Sequence, residues 1–154
     1  MMSLTKVLSA DCVQAHLDVT SQKRALEHIS ALLAHHDTAQ QDAIFAALLA
    51  REKIGSTALG HGMALPHAHL EELTTPRIAL LTLAEPIDFE GAESPVDLFV
   101  RLIVPRDTPE AHVDLLSHIT ILLRQEGLRT TLREAKDNAS LYNAVLMASV
   151  VHED

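Results

Sequence analysis

Apolar residues recur at helical spacing in the first third of the chain. Ser21 is a residue type that caps helices, and five apolar positions follow it at three- to four-residue intervals: Ala25, Leu26, Ile29, Leu32 and Leu33. This spacing predicts an amphipathic helix. We expect it to end at the His35-His36-Asp37 stretch.

A second helix is predicted directly after the first. Thr38 followed by Gln41 fits a capping box. We expect the helix to run to about Arg51 and to be followed by a loop from Gly55 to Gly62. Its inner stripe is formed by Ile44, Ala47 and Leu48.

Short β-compatible apolar runs replace the helical pattern further along the chain. The runs Arg77 to Ala84 and Val96 to Val104, closed by Pro86 and Pro105, predict largely buried strands. The segment from Met63 to Pro66 is a shorter candidate strand that ends at its proline.

The last third returns to helices. Asp107 and Thr108 offer a cap and Pro109 a first-turn residue for a helix through about Gln125, which Gly127 would stop. Two shorter helices are predicted over about 128–135 and 139–149. Helices on both sides of the strands in sequence predict an α/β fold: a mixed, mostly parallel sheet with helices on both faces.

Length, charge and cysteine usage narrow the class of protein. The 154 residues suit a single domain spanning 1–154, and 12 Lys plus Arg against 21 Asp plus Glu leave a net charge of −9 that disfavours nucleic acid. One cysteine, Cys12, allows no internal disulfide, and the N-terminus lacks the apolar run of a signal peptide. Apolar runs such as Ile44 to Ala50 fall far short of the ~20 residues that span a bilayer. We therefore expect a cytoplasmic protein that is not a membrane protein.

The ten histidines raise the question of a metal site. His67-Ala68-His69 would bring two rings to one face only in an extended segment, and no further ligand at metal-binding spacing accompanies them. Gly60-His61-Gly62 begins like a dinucleotide fingerprint but has Leu65 where the third glycine belongs. We expect neither a metal nor a cofactor.

His67 has the most distinctive setting of the ten. A glycine-containing loop leads into the apolar triplet Met63-Ala64-Leu65, then Pro66, then His67. This order would hold an imidazole at a strand end beside flexible backbone N–H groups, where sites on sheet scaffolds tend to lie. On spacing alone, an ordinary loop histidine remains an equal alternative.

The segment around His67 resembles a known family. Leu59-Gly60-x-x-Met63-Ala64-Leu65-Pro66-His67-Ala68 is similar to the phosphorylation-site signature of mannitol/fructose-type (type 2) EIIA domains of the bacterial phosphoenolpyruvate-dependent phosphotransferase system. The run from Arg51 to Thr57 resembles the nitrogen-branch member, IIA-Ntr. The resemblance covers roughly 21–142. Two positions depart from it: His61 stands where members often have Asn, and Ala68 where many have Gly.

The resemblance implies roles for three residues. His67 matches the phosphoacceptor, Arg51 the active-site arginine and His112 the second active-site histidine. Helical periodicity places Arg51 on the stripe of Ile44 and Leu48, where it could reach a phosphate or instead meet the last carbonyls of its helix. It places His112 on the inward face of its helix, within the first turn, where a satisfied core histidine is the alternative to a phosphate-binding one.

The function that the resemblance implies is a phosphorelay. His67 would accept a phosphoryl group from a phosphohistidine carrier such as HPr or its nitrogen-branch counterpart NPr, and the phosphorylation state would regulate partner proteins. The alternative is a fructose/mannitol-type EIIA that passes the phosphate to a sugar-specific EIIB. In either case the chain would be a phosphotransferase component, a phosphohistidine intermediate in a relay.

Overall fold

A computed structural model describes residues 4–35, 37–65, 67–70, 73, 75–105 and 109–152. Its helices are α1 (Leu4–Val7), α2 (Gln22–Leu33), α3 (Thr38–Ile54), α4 (Pro109–Leu123), α5 (Glu126–Glu134) and α6 (Asn138–His152). Its strands are β1 (Leu8–Leu17), β2 (Ala58–Gly60), β3 (Met63–Ala64), β4 (His67–Leu70), β5 (Arg77–Ile87) and β6 (Val96–Pro105).

The described strands form one sheet in the order β1-β5-β6-β3-β2, with β4 also paired to β6. The pairs β1/β5, β3/β6 and β4/β6 are parallel, whereas β5/β6 and β2/β3 are antiparallel. The sheet is therefore mixed and more often parallel than antiparallel, which confirms the predicted fold class.

Two apolar cores cover the two faces of the sheet. On one face α2 and α3 pack through residues such as Leu26 and Leu48. On the other face α1, α4, α5 and α6 pack through residues such as Leu115 and Leu141. The buried strands β5 and β6 contribute alternate side chains to each core, as the period of two in a strand requires.

The first predicted helix is confirmed with its cap. The Oγ of Ser21 accepts a hydrogen bond from the backbone N–H of Arg24 at 3.2 Å. Ile29 and Leu33 are fully buried, and the rest of the predicted stripe is buried as well: Ala25, Leu26 and Leu32. A capping oxygen and a 3.6-residue stripe act within one segment, so the sequence alone specifies this helix.

The start and end of α3 differ from the prediction. Asp37, not Thr38, is the cap: its Oδ1 accepts from the backbone N–H groups of Ala39 at 3.0 Å and Gln40 at 3.2 Å. A carboxylate one residue earlier accepts two N–H groups and so displaces the expected capping box. The helix continues past Arg51 to Ile54, and Ala47 is only partly buried.

Other element boundaries also differ from the prediction. The stretch Gly55 to Gly62 is not all loop, since it contains β2. Gly127 does not separate helices but is the second residue of α5, because α4 already ends at Leu123. The cap expected at Asp107 and Thr108 lies outside the described residues. The strands β1 and β4 were not predicted.

Cys12 lies in the core beneath α2. Cys12 is 2% exposed, and its thiol donates to the backbone carbonyl of Leu32 at 3.2 Å. Burial raises its pKa, with the nearby charge of Asp11 acting in the same direction. A thiol with these surroundings packs as a small apolar side chain.

Among the described helices, none has the length and apolar character needed to cross a membrane.

Candidate functional site

The edge of the sheet beside β6 is interrupted just before His67. β3 pairs with β6 at Leu98 and Phe99, and β4 resumes the same register with His67 opposite Leu102. Val100 and Arg101 of β6 lie between the two paired stretches. His67 is therefore the first residue of a new strand segment at a sheet edge, and the structure describes its backbone.

Backbone geometry makes the loop before β3 a tight turn. Gly60, His61 and Gly62 have φ angles of 89°, 54° and 74°, all in the left-handed region. Histidine tolerates this region better than most residues, as asparagine does, so His61 is compatible with the turn. The φ of Gly62 is one that L side chains rarely adopt, and a Cβ there would also lie 2.8 Å from Nη2 of Arg133, so the turn favours glycine at this position.

Arg133 of α5 holds this turn through its side chain. Its Nη2 donates to the carbonyl oxygen of His61, and its Nε donates to Oδ1 of Asp97 at 3.0 Å. The carbonyl oxygen of Gly62 in turn accepts from the N–H groups of Asp97 and Leu98, at 3.0 and 3.2 Å. The start of β6 and the end of α5 together hold the loop.

Arg51 lies on the predicted stripe near the end of α3. Ile44 and Leu48 on that stripe are fully buried, and Arg51 is half-buried. Its Nη1 donates to the carbonyl oxygen of Gly55 at 3.1 Å, the helix-end contact that periodicity left open. α3 also packs against β4, so Arg51 belongs to a helix that contacts the strand of His67.

His112 belongs to the opposite face of the sheet. It is the fourth residue of α4, whose backbone is described there, and α4 packs against β6. Leu115, Ile119 and Leu123 of the same helix are buried. The structure thus brings the helices of Arg51 and His112 to opposite faces of the sheet that carries His67.

A buried arginine outside the predicted site lies at the interrupted edge. Arg101 is 0% exposed although it stands in the middle of β6. Its Nη1 donates to Oε1 of Glu52, near the end of α3, at 3.1 Å. Its guanidinium carbon lies 5.7 Å from the ring centroid of Phe89 and 5.6 Å from that of Phe99, within the range of cation–π attraction.

Glu52 and Thr57 connect Arg101 to the backbone that precedes β4. The Oγ1 of Thr57 donates to the same carboxylate oxygen, Oε1 of Glu52, that Arg101 contacts. The carbonyl oxygen of Thr57 accepts from the backbone N–H of Leu65 at 3.0 Å. Leu65 is two residues before His67, so this path of contacts runs from β6 to the backbone that leads into β4.

Burial governs the electrostatics of Arg101. It lowers the pKa of Arg101 to about 9, while the carboxylate of Glu52 raises the pKa and the charge of Arg51 lowers it. Two of its nitrogens, Nε and Nη2, have no hydrogen-bond partner in the part of the chain that the structure describes. Glu52 and two aromatic faces therefore compensate this charge only in part.

A charge within an apolar strand was the signal that could have revealed this cluster. Arg101 interrupts the apolar run from Val96 to Val104, whose pattern predicts a buried strand. A charged residue is almost never fully buried unless it is paired, so its position implied a partner. The sequence did not indicate which carboxylate, because Glu52 is 49 positions away.

Comparison with known proteins assigns the family. The model of the phosphoenolpyruvate-dependent sugar phosphotransferase system EIIA 2 family matches residues 6–147. The chain belongs to this family. The EIIA domain thus defined includes each of the strands and helices that surround the interrupted edge.

Relatives of this EIIA domain include nitrogen regulatory proteins. That of Klebsiella oxytoca is 36% identical over 154 residues, covering 99% of this chain and 95% of that protein. A 2-O-alpha-mannosyl-D-glycerate-specific EIIABC component of Escherichia coli is 30% identical over 149 residues, covering 94% of this chain but 23% of that protein. The crystal structure of nitrogen regulatory protein IIA-Ntr from Neisseria meningitidis superposes with a TM-score of 0.81 at 27% identity, covering 92% of this chain and 98% of that one.

Proposed function

We propose that this EIIA domain accepts a phosphoryl group on His67 from an HPr-like phosphohistidine carrier, HPr or NPr, in the cytoplasm, and regulates partner proteins by its phosphorylation state. The observation that carries the proposal is the position of His67 as the first residue of β4, at an interrupted sheet edge in a domain of this family. The similarity to nitrogen regulatory proteins over 99% of the chain supports the regulatory branch.

The transfer itself needs little covalent machinery. The lone pair of an unprotonated ring nitrogen of His67 attacks phosphorus, a new P–N bond forms, and the P–N bond to the carrier breaks. The electron pair of that broken bond returns to the imidazole of the carrier. Imidazole titrates near neutral pH, so a neutral ring is available as the nucleophile. Catalysis is then mostly positioning and charge stabilisation.

Arg51 and His112 are proposed to stabilise the charge of the transferring group. A guanidinium is permanently charged and its planar fork suits phosphate oxygens. His112, in the first turn of α4, would act beside the N–H groups and positive dipole end of that helix. Neither residue would itself accept the phosphate.

Removal of either side chain is expected to slow the transfer without unfolding the domain. Arg51→Ala and His112→Ala should each reduce the single-turnover rate from phosphorylated carrier by about 10- to 1,000-fold, the scale of losing one positioned charge-stabilising donor. Lys53→Ala and His28→Ala remove an exposed cation and an exposed imidazole and should transfer at the wild-type rate. A folded Arg51→Ala or His112→Ala variant with wild-type kinetics would refute that residue's role.

The alternative function is sugar transport. The similarity to part of a sugar-specific EIIABC component favours it, since such a protein is named for its sugar. In transport the phosphate on His67 would move on to an EIIB protein. In regulation its charge of about −1.5 to −2 would itself be the signal, by repelling or attracting a partner.

The fate of the phosphate distinguishes the two functions. We expect radiolabelled phosphate to pass from enzyme I through the carrier to this domain and to stay there when sugar-specific EIIB proteins from the same cell are added. Failure of the wild-type domain to acquire label from either carrier would contradict the relay. Rapid, stoichiometric transfer onward to one EIIB, with sugar uptake lost on deletion, would establish transport instead.

A further inference from the structure

The loop that leads to His67, from Gly60 to Leu65, has few features of its own that would hold it in one conformation. It contains three residues in succession with positive φ, and its strand β3 is two residues long. Glycines enlarge the range of conformations open to such a segment. Contacts from outside the loop must therefore fix the backbone that enters β4.

One set of these contacts comes from the buried cluster of Arg101, Glu52 and Thr57. Arg101 and Thr57 donate to one carboxylate oxygen of Glu52, whose side chain is 7% exposed. Thr57 is 6% exposed and its carbonyl oxygen accepts from the N–H of Leu65 at 3.0 Å. The cluster thus joins β6, the end of α3 and the residue two places before His67.

A simpler core would serve stability at least as well. Charges taken out of water are expensive, and well-packed apolar side chains commonly replace a buried ion pair with no loss of stability. Arg101 keeps two nitrogens without hydrogen-bond partners among the described residues, which adds to that cost. Directional contacts to a single carboxylate oxygen can, however, fix the position of Thr57 more sharply than apolar packing does.

We propose that Arg101, Glu52 and Thr57 form a positioning network that holds the backbone before His67 in the geometry needed for phosphoryl transfer. The proposal rests on the proposed function of His67. Thr57 is the member that contacts the loop, and Arg101 and Glu52 act through it. None of the three needs to touch the phosphoryl group.

The test compares two equivalent Thr→Val substitutions. Thr57→Val keeps the shape of the side chain and removes the hydroxyl that binds Glu52. Thr82→Val is the matched control: Thr82 is 1% exposed, and its Oγ1 accepts from the backbone N–H of His16 at 2.9 Å, between β5 and β1. Both variants lose a buried hydroxyl, but only the first loses one in the network.

Two measurements are made on each variant. Hydrogen exchange at the amide of Leu65 should become at least about 10-fold faster in Thr57→Val, because the acceptor carbonyl is no longer fixed. The transfer rate at saturating phosphorylated carrier should fall by about 10- to 100-fold, because a small displacement of the reacting groups slows the transfer by that much. The carrier concentration that gives half the maximal rate should be unchanged. Thr57→Ser, which restores the hydroxyl, should recover both values, and Thr82→Val should match the wild type in both.

Each remaining outcome has a defined meaning. Wild-type exchange at Leu65 and a wild-type transfer rate in Thr57→Val would overturn the positioning network. If Thr57→Val does not fold, Thr57→Ala takes its place, since it also removes the hydroxyl that binds Glu52; unchanged values there would overturn the network equally. A wild-type protein that accepts no phosphate refutes the proposed function, whereas the exchange measurement still reports on the network.

Discussion

His67→Ala is expected to abolish phosphorylation of the domain while leaving its fold intact. The wild-type protein incubated with enzyme I, phosphoenolpyruvate and carrier should acquire a phosphate that is stable in base and labile in acid, as a phosphohistidine is. Alanine has no nucleophile to replace the ring. His67 pairs with Leu102 through its backbone, which alanine preserves, so the circular dichroism spectrum should not change.

His69→Ala supplies the matched control for this experiment. His69 lies two residues further along β4 and is paired in the same register, opposite Val104. Its removal should leave labelling at the wild-type level. Persistent acid-labile label on His67→Ala, or loss of label in His69→Ala alone, would assign the phosphoacceptor elsewhere.

Glu52→Ala is expected to lower the free energy of unfolding more than the other single substitutions proposed for this domain. It leaves the guanidinium of Arg101, which is fully buried, without its carboxylate, and removes the acceptor of the Thr57 hydroxyl. Breaking a buried ion pair by deleting one partner costs about 3–5 kcal/mol. Urea denaturation should show that decrease in the free energy of unfolding.

An exposed pair provides the comparison. Nη1 of Arg24 lies 3.1 Å from Oε2 of Glu27, the same separation as in the buried pair, but these two side chains are 69% and 33% exposed. Glu27→Ala should change the free energy of unfolding by only about 0–1 kcal/mol, since solvent screens such a pair. A loss in Glu52→Ala no larger than that in Glu27→Ala would show that the buried guanidinium does not depend on Glu52.

Removing both charges together should be less harmful than removing one. Arg101→Met combined with Glu52→Ala eliminates the buried cation, so most of the loss caused by Glu52→Ala should be recovered. The lowered pKa of Arg101 agrees with this expectation, because it means that the folded state disfavours the charged form of this guanidinium. A double variant less stable than Glu52→Ala would indicate that the guanidinium contributes mainly by packing.

Local signals in the sequence determined several elements of this fold. α2 was predicted with its cap because Ser21 binds the N–H of Arg24 three residues on, and because the apolar stripe needs only helical geometry. β5 and β6 were recognisable as apolar runs of strand length. The motif around His67 is contiguous, so it identified the family without knowledge of the fold.

The strands that were missed lack such local signals. In β1 the register with β5 shifts twice and His16 has a φ of 52°, so the strand shows no regular alternation of buried and exposed positions. β4 is four residues long and becomes a strand by pairing with β6. Its existence depends on a partner more than 30 positions away.

The buried cluster shows most clearly what only the tertiary structure decided. The sequence contains Arg101 inside an apolar run and Glu52 among the charges at a helix end, and nothing local connects them. Their pairing follows from packing α3 against the face of the sheet to which Arg101 projects. Helix caps and stripes are set by neighbours within a few residues, whereas the partner of a buried charge is set by which elements the fold brings together.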